Sequence, residues 1–381
     1  MSLRLNITKY FVALTALSGA AVLNAEESRG FAISLIYTAS YTDSDQCPGG
    51  GNGGPAEAKQ RVLLSMGYTK EQAIKIIAND DVDEKGKRIN FRDRGTLDGK
   101  PANVQNFPLS WPDPKLESAV GRYAYGFNLD GRLDTGLFED PDTHEKGVDN
   151  AMWRAIGCFS NYMVRRPIIP YNESIVWDTA MDAMPAWLVS VTGKDLSKDG
   201  PVTVSFDRAL NVVMRDAKGS VLAGSSYTLD NDPRSSSEFK AYLKDGVVNL
   251  EPGNFYMQGE SQFYAVLRMT GMKGRIHLKE DGRIWMVLGG YQPWRDYYHY
   301  LAIRGEGDGL VDLPGVYNLF RKHADANPDP VTGENRDIST AYYLEAVPVF
   351  HTSLDGRVVS RAYLPDPENL PSAVAAKVAT R

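Results

Sequence analysis

The chain has 381 residues, 43% of them hydrophobic, with 42 Lys and Arg against 48 Asp and Glu and a net charge of −6. That hydrophobic share is ordinary for a globular protein. The acidic balance, with no Lys/Arg cluster to neutralise phosphates, argues against a nucleic-acid partner and against an anionic membrane surface.

Residues 1–25 read as a secretory signal peptide. Arg4 and Lys9 make a positive start, residues 10–22 are apolar and small, and Leu23-Asn24-Ala25 offers a cleavage site before Glu26. The apolar run is shorter than the roughly 20 residues of a membrane span. An uncleaved anchor is the competing reading. No later run reaches transmembrane length, so the mature chain is expected to be soluble and periplasmic or secreted. Residues 26–381 have room for one large or two ordinary domains.

Export changes how the two cysteines, Cys47 and Cys158, are read. An oxidising compartment favours pairing them. The bridge would close a loop of roughly 110 residues, worth about 4–5 kcal/mol in the chain-entropy model. Two buried free thiols are the alternative. Neither cysteine has a His or Lys beside it in sequence, which argues against a catalytic thiol.

Region 26–180 is expected to contain helices and an acidic loop. Residues 31–39 read as a first strand. Five glycines within residues 47–55 mark a linker; the segment lacks the Lys-Ser/Thr ending of a phosphate-binding loop. Helices are predicted over 56–66, ended by Gly67, and after Thr69, with Gln72 as a capping-box partner. Residues 92–120 are rich in Pro and Gly and irregular.

The acidic loop runs from Gly126 to Asn150 and leads into the apolar helix AMWRAIGC. Its oxygen-rich side chains suit a hard cation, so calcium is expected at Asp130, Asp134, Asp140, Asp142 and Asp149. An EF-hand register fails. With Asn128 at position 1, Arg132 falls at position 5 and Leu133 at position 6, where an oxygen ligand and a glycine are needed. The alternative is a solvated loop with Asx turns, in which Asp149-Asn150 caps the following helix. A second oxygen-rich stretch spans 325–337, with a long surface loop as its default reading.

From residue 181 to 363 the pattern changes to short strands separated by turn dipeptides such as Lys218-Gly219, Asp245-Gly246 and Asp281-Gly282. Strands are predicted at 187–191, 202–206, 210–214, 221–229, 239–243, 247–250, 254–257, 262–269, 275–278, 283–288 and 340–350. Helical pieces interrupt at 297–303 and 314–326. The fold class is therefore α+β and β-rich, with an antiparallel β-sandwich-like C-terminal part and an α-containing N-terminal part; a barrel is the other arrangement the spacing allows. Residues 364–381 form a small, alanine-rich tail.

The cluster around Trp285, Tyr291, Trp294, Tyr298 and His299 is the ligand-binding candidate. Such rings stack on sugars or aromatic ligands, and Gly289-Gly290 lets a ligand approach the backbone. Core packing is the competing use of these aromatics. Enzyme templates fail: there is no HExxH, no G-x-S-x-G, no C-x-x-C-H and no dinucleotide glycine pattern after a strand. His323, on the apolar side of its helix with Val316 and Phe320, reads as a hydrogen-bonded core histidine.

The segments GFNLDG, GVDNAMWRAIGC and LPGVYNLFRKHADANPDPVTGENRDISTAYYLEAVPVF resemble exported proteobacterial proteins without an assigned function. The resemblance implies export and carries no catalytic motif. The leading expectation is a calcium-stabilised binding module for an envelope glycan or another small ligand, with protein partners unknown. The rivals are a secreted carboxylate-dependent hydrolase or lyase acting on polysaccharide, and a structural envelope protein. A carboxyl pair about 5–10 Å apart beside the aromatics would favour the enzyme; an aromatic surface without paired acids favours binding.

Overall fold

The computed structural model describes residues 26–88, 91–104, 106–136, 138–160, 162–163, 177–259, 266–308 and 313–365. The signal peptide expected at 1–25 and residues 366–381 of the expected tail lie outside them. Eight long strands carry the fold: β1 (Glu27–Thr38), β2 (Pro185–Gly193), β3 (Gly200–Val212), β4 (Ser236–Lys244), β5 (Val247–Gln258), β6 (Val266–Leu278), β7 (Ile284–Pro293) and β8 (Asn335–Pro348). Each pairs antiparallel with the next, and β8 pairs back onto β1, so the sheet closes into an eight-stranded barrel. The expected sandwich is thereby corrected. Alternation along a strand says which side faces the core, but a closed sheet and two stacked sheets share that pattern. Closure depends on β1, which comes from before residue 180 and is gripped on both edges by strands from after it.

Several predicted strand pieces fuse into longer strands. The piece at 202–206 and residues 210–212 of that at 210–214 belong to β3, those at 247–250 and 254–257 to β5, and the described part of 262–269 (residues 266–269) together with 275–278 to β6. Irregularities explain the breaks in pattern. The β5–β6 register shifts around Gly253, and the β6–β7 register shifts between Thr270 and Lys273, where Gly271 has a φ of +60°. Bulges of this kind bend a strand and let it wrap a barrel. The piece at 221–229 shrinks to Ser226–Thr228, which joins Phe350–Thr352 and Val358–Ser360 in a small sheet. That sheet lies close to β1 at Gly30, where a Cβ would come within 2.7 Å of the Val349 carbonyl.

The barrel interior is filled by side chains. Phe206 meets Phe239 and Phe255 edge-on, with ring centroids 5.8 and 5.2 Å apart, and Met257, Met269, Met286 and Leu288 pack in the same core. Outward positions of β4 to β6 carry exposed Glu238, Lys240, Lys244 and Arg268. Outer charges of this kind suit water; a lipid-facing barrel places apolar side chains outside. No helix among the described residues is long and apolar enough to cross a membrane.

The helices that accompany the barrel include α1 (Pro55–Ser65), α2 (Lys70–Ile77), α3 (Ala151–Ile156), α4 (Trp294–Asp308) and α5 (Leu313–His323), and residues 177–181 are helical as well. Thr69 and Gln72 form the expected capping box of α2. Trp153, Tyr297 and Phe320 from α3, α4 and α5 join the barrel core where β7 ends and β8 begins. A second apolar cluster lies on the outer face of β1, β7 and β8. There Tyr37, Val287, Ala341 and Tyr343 are covered by Tyr41, Tyr125 and Phe127 from the long segment between β1 and β2. Cys47 and Cys158 form a disulfide across that segment, with Cα atoms 5.7 Å apart.

Candidate functional site

The first turns of α4 place Arg295, Tyr298 and His299 along a cleft of about 220 Å³. Arg295 and His299 are four residues apart and so share a helix face. Tyr317 from α5 completes this wall, its ring edge-on to Tyr298 at 5.1 Å. The facing wall comes from the irregular segment before the acidic loop: Leu97, Asn106, Phe107, Pro108 and Leu109. Three of these are apolar yet open to solvent, Leu97 at 36%, Phe107 at 50% and Leu109 at 47% exposure. Exposed apolar side chains gathered on one cleft mark a binding surface more than scattered ones do. Among the described residues, every formally charged or titratable side chain lining the cleft is Arg, His or Tyr, and none is an acid.

The five aromatic and histidine candidates divide. Tyr298 and His299 line the cleft. Trp294 sits beneath it, 1% exposed, with its indole N–H donating to the Asn335 carbonyl at 3.1 Å and its ring edge-on to Tyr317. Trp285 lies on the outer barrel face. His277 stacks on it at 3.7 Å and Tyr343 lies near-parallel at 5.7 Å, so neighbouring side chains occupy the stacking positions a ligand would use. Tyr291 also points outward, toward a group of carboxylates.

The acidic loop is held by protein donors. Asp140 is fully buried, forms an ion pair with Arg275 of β6 at 2.7 Å, and accepts the Asp142 and Thr143 N–H groups. Glu145 joins Arg275 at 3.2 Å. Asp149 accepts the N–H groups of Leu129 and Asp130, at 2.7 and 3.3 Å. Asp130 accepts Arg132 N–H and the Thr135 hydroxyl, and Asp134 pairs with Arg132. Of the five expected calcium ligands, the carboxylates of Asp130, Asp134, Asp140 and Asp149 are distributed over separate hydrogen-bond sets, Asp142 gives its N–H to Asp140, and among the described residues no group of three or more His, Cys, Asp or Glu has metal-holding geometry. Asn150, beside Asp149, caps α3 by accepting Trp153 N–H at 2.9 Å.

Asp149 and Asp325 lie near Tyr291. Burial pushes Asp325 up to about 6, against two Ser339 hydrogen bonds that pull it down, and Asp149 adds to the rise. Water still reaches Asp325, which screens the coupling. Burial likewise raises Asp149, and burial followed by these carboxylates raises the Tyr291 phenol. The network holds α3 against β8, because Ser339 Oγ donates to Asp325 and accepts the N–H of Ala151, the first residue of α3. None of these residues lines the cleft. His323 is hydrogen-bonded as expected, to Ser118 at 2.7 Å, but it is half-buried at the edge of the core rather than within it; burial drives it down to about 4.

Sequence reasoning missed Arg295, Tyr317 and the whole facing wall. The spacing of Arg295, Tyr298 and His299 on one helix was a usable signal. The Phe107-Pro108-Leu109 run, apolar within an irregular segment, was a weaker one. Compared with family models, curated proteins and solved structures, the chain matches none of them.

Proposed function

We propose that the protein is an exported binding module, and that the α4–α5 cleft takes a small ring-bearing ligand. The carrying observation is the solvent-open apolar wall of Leu97, Phe107 and Leu109 facing the rings of Tyr298 and Tyr317. At about 220 Å³ the cleft suits a single ring; pockets for drug-sized molecules run from about 300 Å³ upward. Carboxylate-dependent hydrolysis needs an acid pair at the bound ring, and the acids of the Tyr291 group are absent from this lining. The cleft therefore favours binding over hydrolysis. The reading does not depend on calcium, because the acidic loop does not line this cleft. Export is supported by the signal-like residues 1–25 and the disulfide.

Benzyl alcohol, a neutral single ring, tests the cleft. Titration should shift the NMR resonances of the Tyr298, Tyr317 and His299 rings, and Phe107→Ser should weaken the response. Phe107 is half exposed, so the variant should keep its fold. Ring resonances that do not move at any concentration would reject the proposal.

A further inference from the structure

We infer that the cleft reads an anionic substituent, and that its ligand is an aromatic ring bearing a carboxylate. The inference rests on the cleft being a ring site and specifies what the ring carries. Arg295 carries the argument. Its guanidinium is positioned by the Trp294 ring, 4.5 Å away, and by the Tyr317 ring at 5.7 Å. Its Nη1 donates to Tyr317 Oη at 3.1 Å. Among the described residues no carboxylate pairs with it. The adjacent acid in sequence, Asp296, is taken by Arg268 at 2.8 Å. Several other arginines are neutralised, Arg208 by Asp230, Arg215 by Asp178 and Asp182, Arg275 by Asp140 and Glu145, Arg321 by Glu334; Arg154 and Arg336, which donate to neutral groups of Ala119 and Asn327, lie away from the cleft lining. Arg295 is thus an oriented fork with spare N–H groups at the rim of an apolar cleft.

A guanidinium fork matches a carboxylate in shape and charge. His299 on the same helix face and the Asn106 amide on the other wall are further polar groups within the lining. The apolar facing wall of Leu97, Phe107, Pro108 and Leu109 selects the ring class. It favours a flat hydrocarbon ring over a sugar, whose hydroxyls would lose water against these side chains without finding partners. A ring with a carboxylate could also be an acidic sugar, so the test separates the two.

The probes are benzoate, benzyl alcohol and glucuronate, each titrated into the full protein by calorimetry and by NMR of the Tyr298 and His299 rings. Benzoate is expected to bind about tenfold or more tightly than benzyl alcohol, the scale of one charged hydrogen-bonded pair. Added salt should narrow the gap. Arg295→Met should bring the benzoate-to-benzyl-alcohol ratio close to one, and Arg295→Lys should restore only part of it, because the fork is lost. The Arg295→Met melting temperature, compared with that of the parent chain, checks the fold. Equal affinities for benzoate and benzyl alcohol, or a preference that survives Arg295→Met, overturn the inference while leaving the ring site standing. Glucuronate binding in preference to benzoate overturns the aromatic assignment. Failure of all three probes removes the ring site and the inference together.

Discussion

Strands β4 and β8 belong to one barrel and differ in what lies on their outer side. Along β4, buried and exposed residues alternate without exception from Ser236 to Lys244. Along β8, Asp337 to Leu344 are buried without a break. The inward residues do the same work in both strands. The outer face of β4 meets water, while that of β8 is roofed by Tyr41, Tyr125 and Phe127 from the segment between β1 and β2. A sheet half with one wet face writes its register into the sequence; a half buried on both faces reads as a continuous apolar run. The difference also predicts where substitutions hurt.

The disulfide should have the largest effect, because it closes the loop that carries the roof. Cys47→Ser with Cys158→Ser is expected to cost about 4–5 kcal/mol on the chain-entropy model. Urea unfolding checks the size. Hydrogen exchange should show the loss first at the β8 amides and last at β4; uniform loss would erase the distinction between the halves.

Next in size is Arg275→Met, which leaves the fully buried Asp140 without its ion pair and should cost about 3–5 kcal/mol. Asp140→Leu in the same chain should recover part of that, as a charge is no longer stranded. A single Arg275→Met cost near zero would mean that the roof is not anchored to β6 through this pair.

A third contrast uses two outward tyrosines. Tyr343→Ala on β8 should cost about 3 kcal/mol, since the ring is buried under the roof. Tyr242→Ala on β4, 51% exposed, should stay within about 0.5 kcal/mol. Equal costs in thermal or urea unfolding would dissolve the comparison.

The smallest effect is confined to acid. His351, 1% exposed in the small sheet that covers Gly30, bonds the Phe31 carbonyl at 3.2 Å, and burial drives it from 6.5 down to about 4. Its neutral form stabilises the fold. That contribution is whole above about pH 6.5 and is lost as the pH falls toward 4, on the order of 2–3 kcal/mol. His351→Gln should flatten this part of the pH–stability curve. Asp325, whose carboxyl is raised to about 6, acts in the opposite direction over the same range, since protonating it relieves the fold.

Much of the candidate site was legible piecemeal. The aromatic run through Trp294, Tyr298 and His299 stood out, and helical spacing puts Arg295 on the same face. The other wall was not legible, because Leu97 and the Phe107–Leu109 run approach α4 only through tertiary packing. The acidic loop was legible only in part: the donors to Asp130, Asp134 and Asp149 come from the loop itself, whereas Asp140 also takes Arg275 of β6, 135 residues away.

Composition and local pattern by themselves determined the β-rich class, the inward face of each wet strand, the α2 capping box and the α3 cap. These rest on contacts within a few residues, or on the period of a strand against water. Barrel closure, the roof over β8, the partner of Asp140 and the two-walled cleft were decided by tertiary structure alone. Each joins residues distant along the chain, and which distant surfaces meet is settled by the free energy of burying them together.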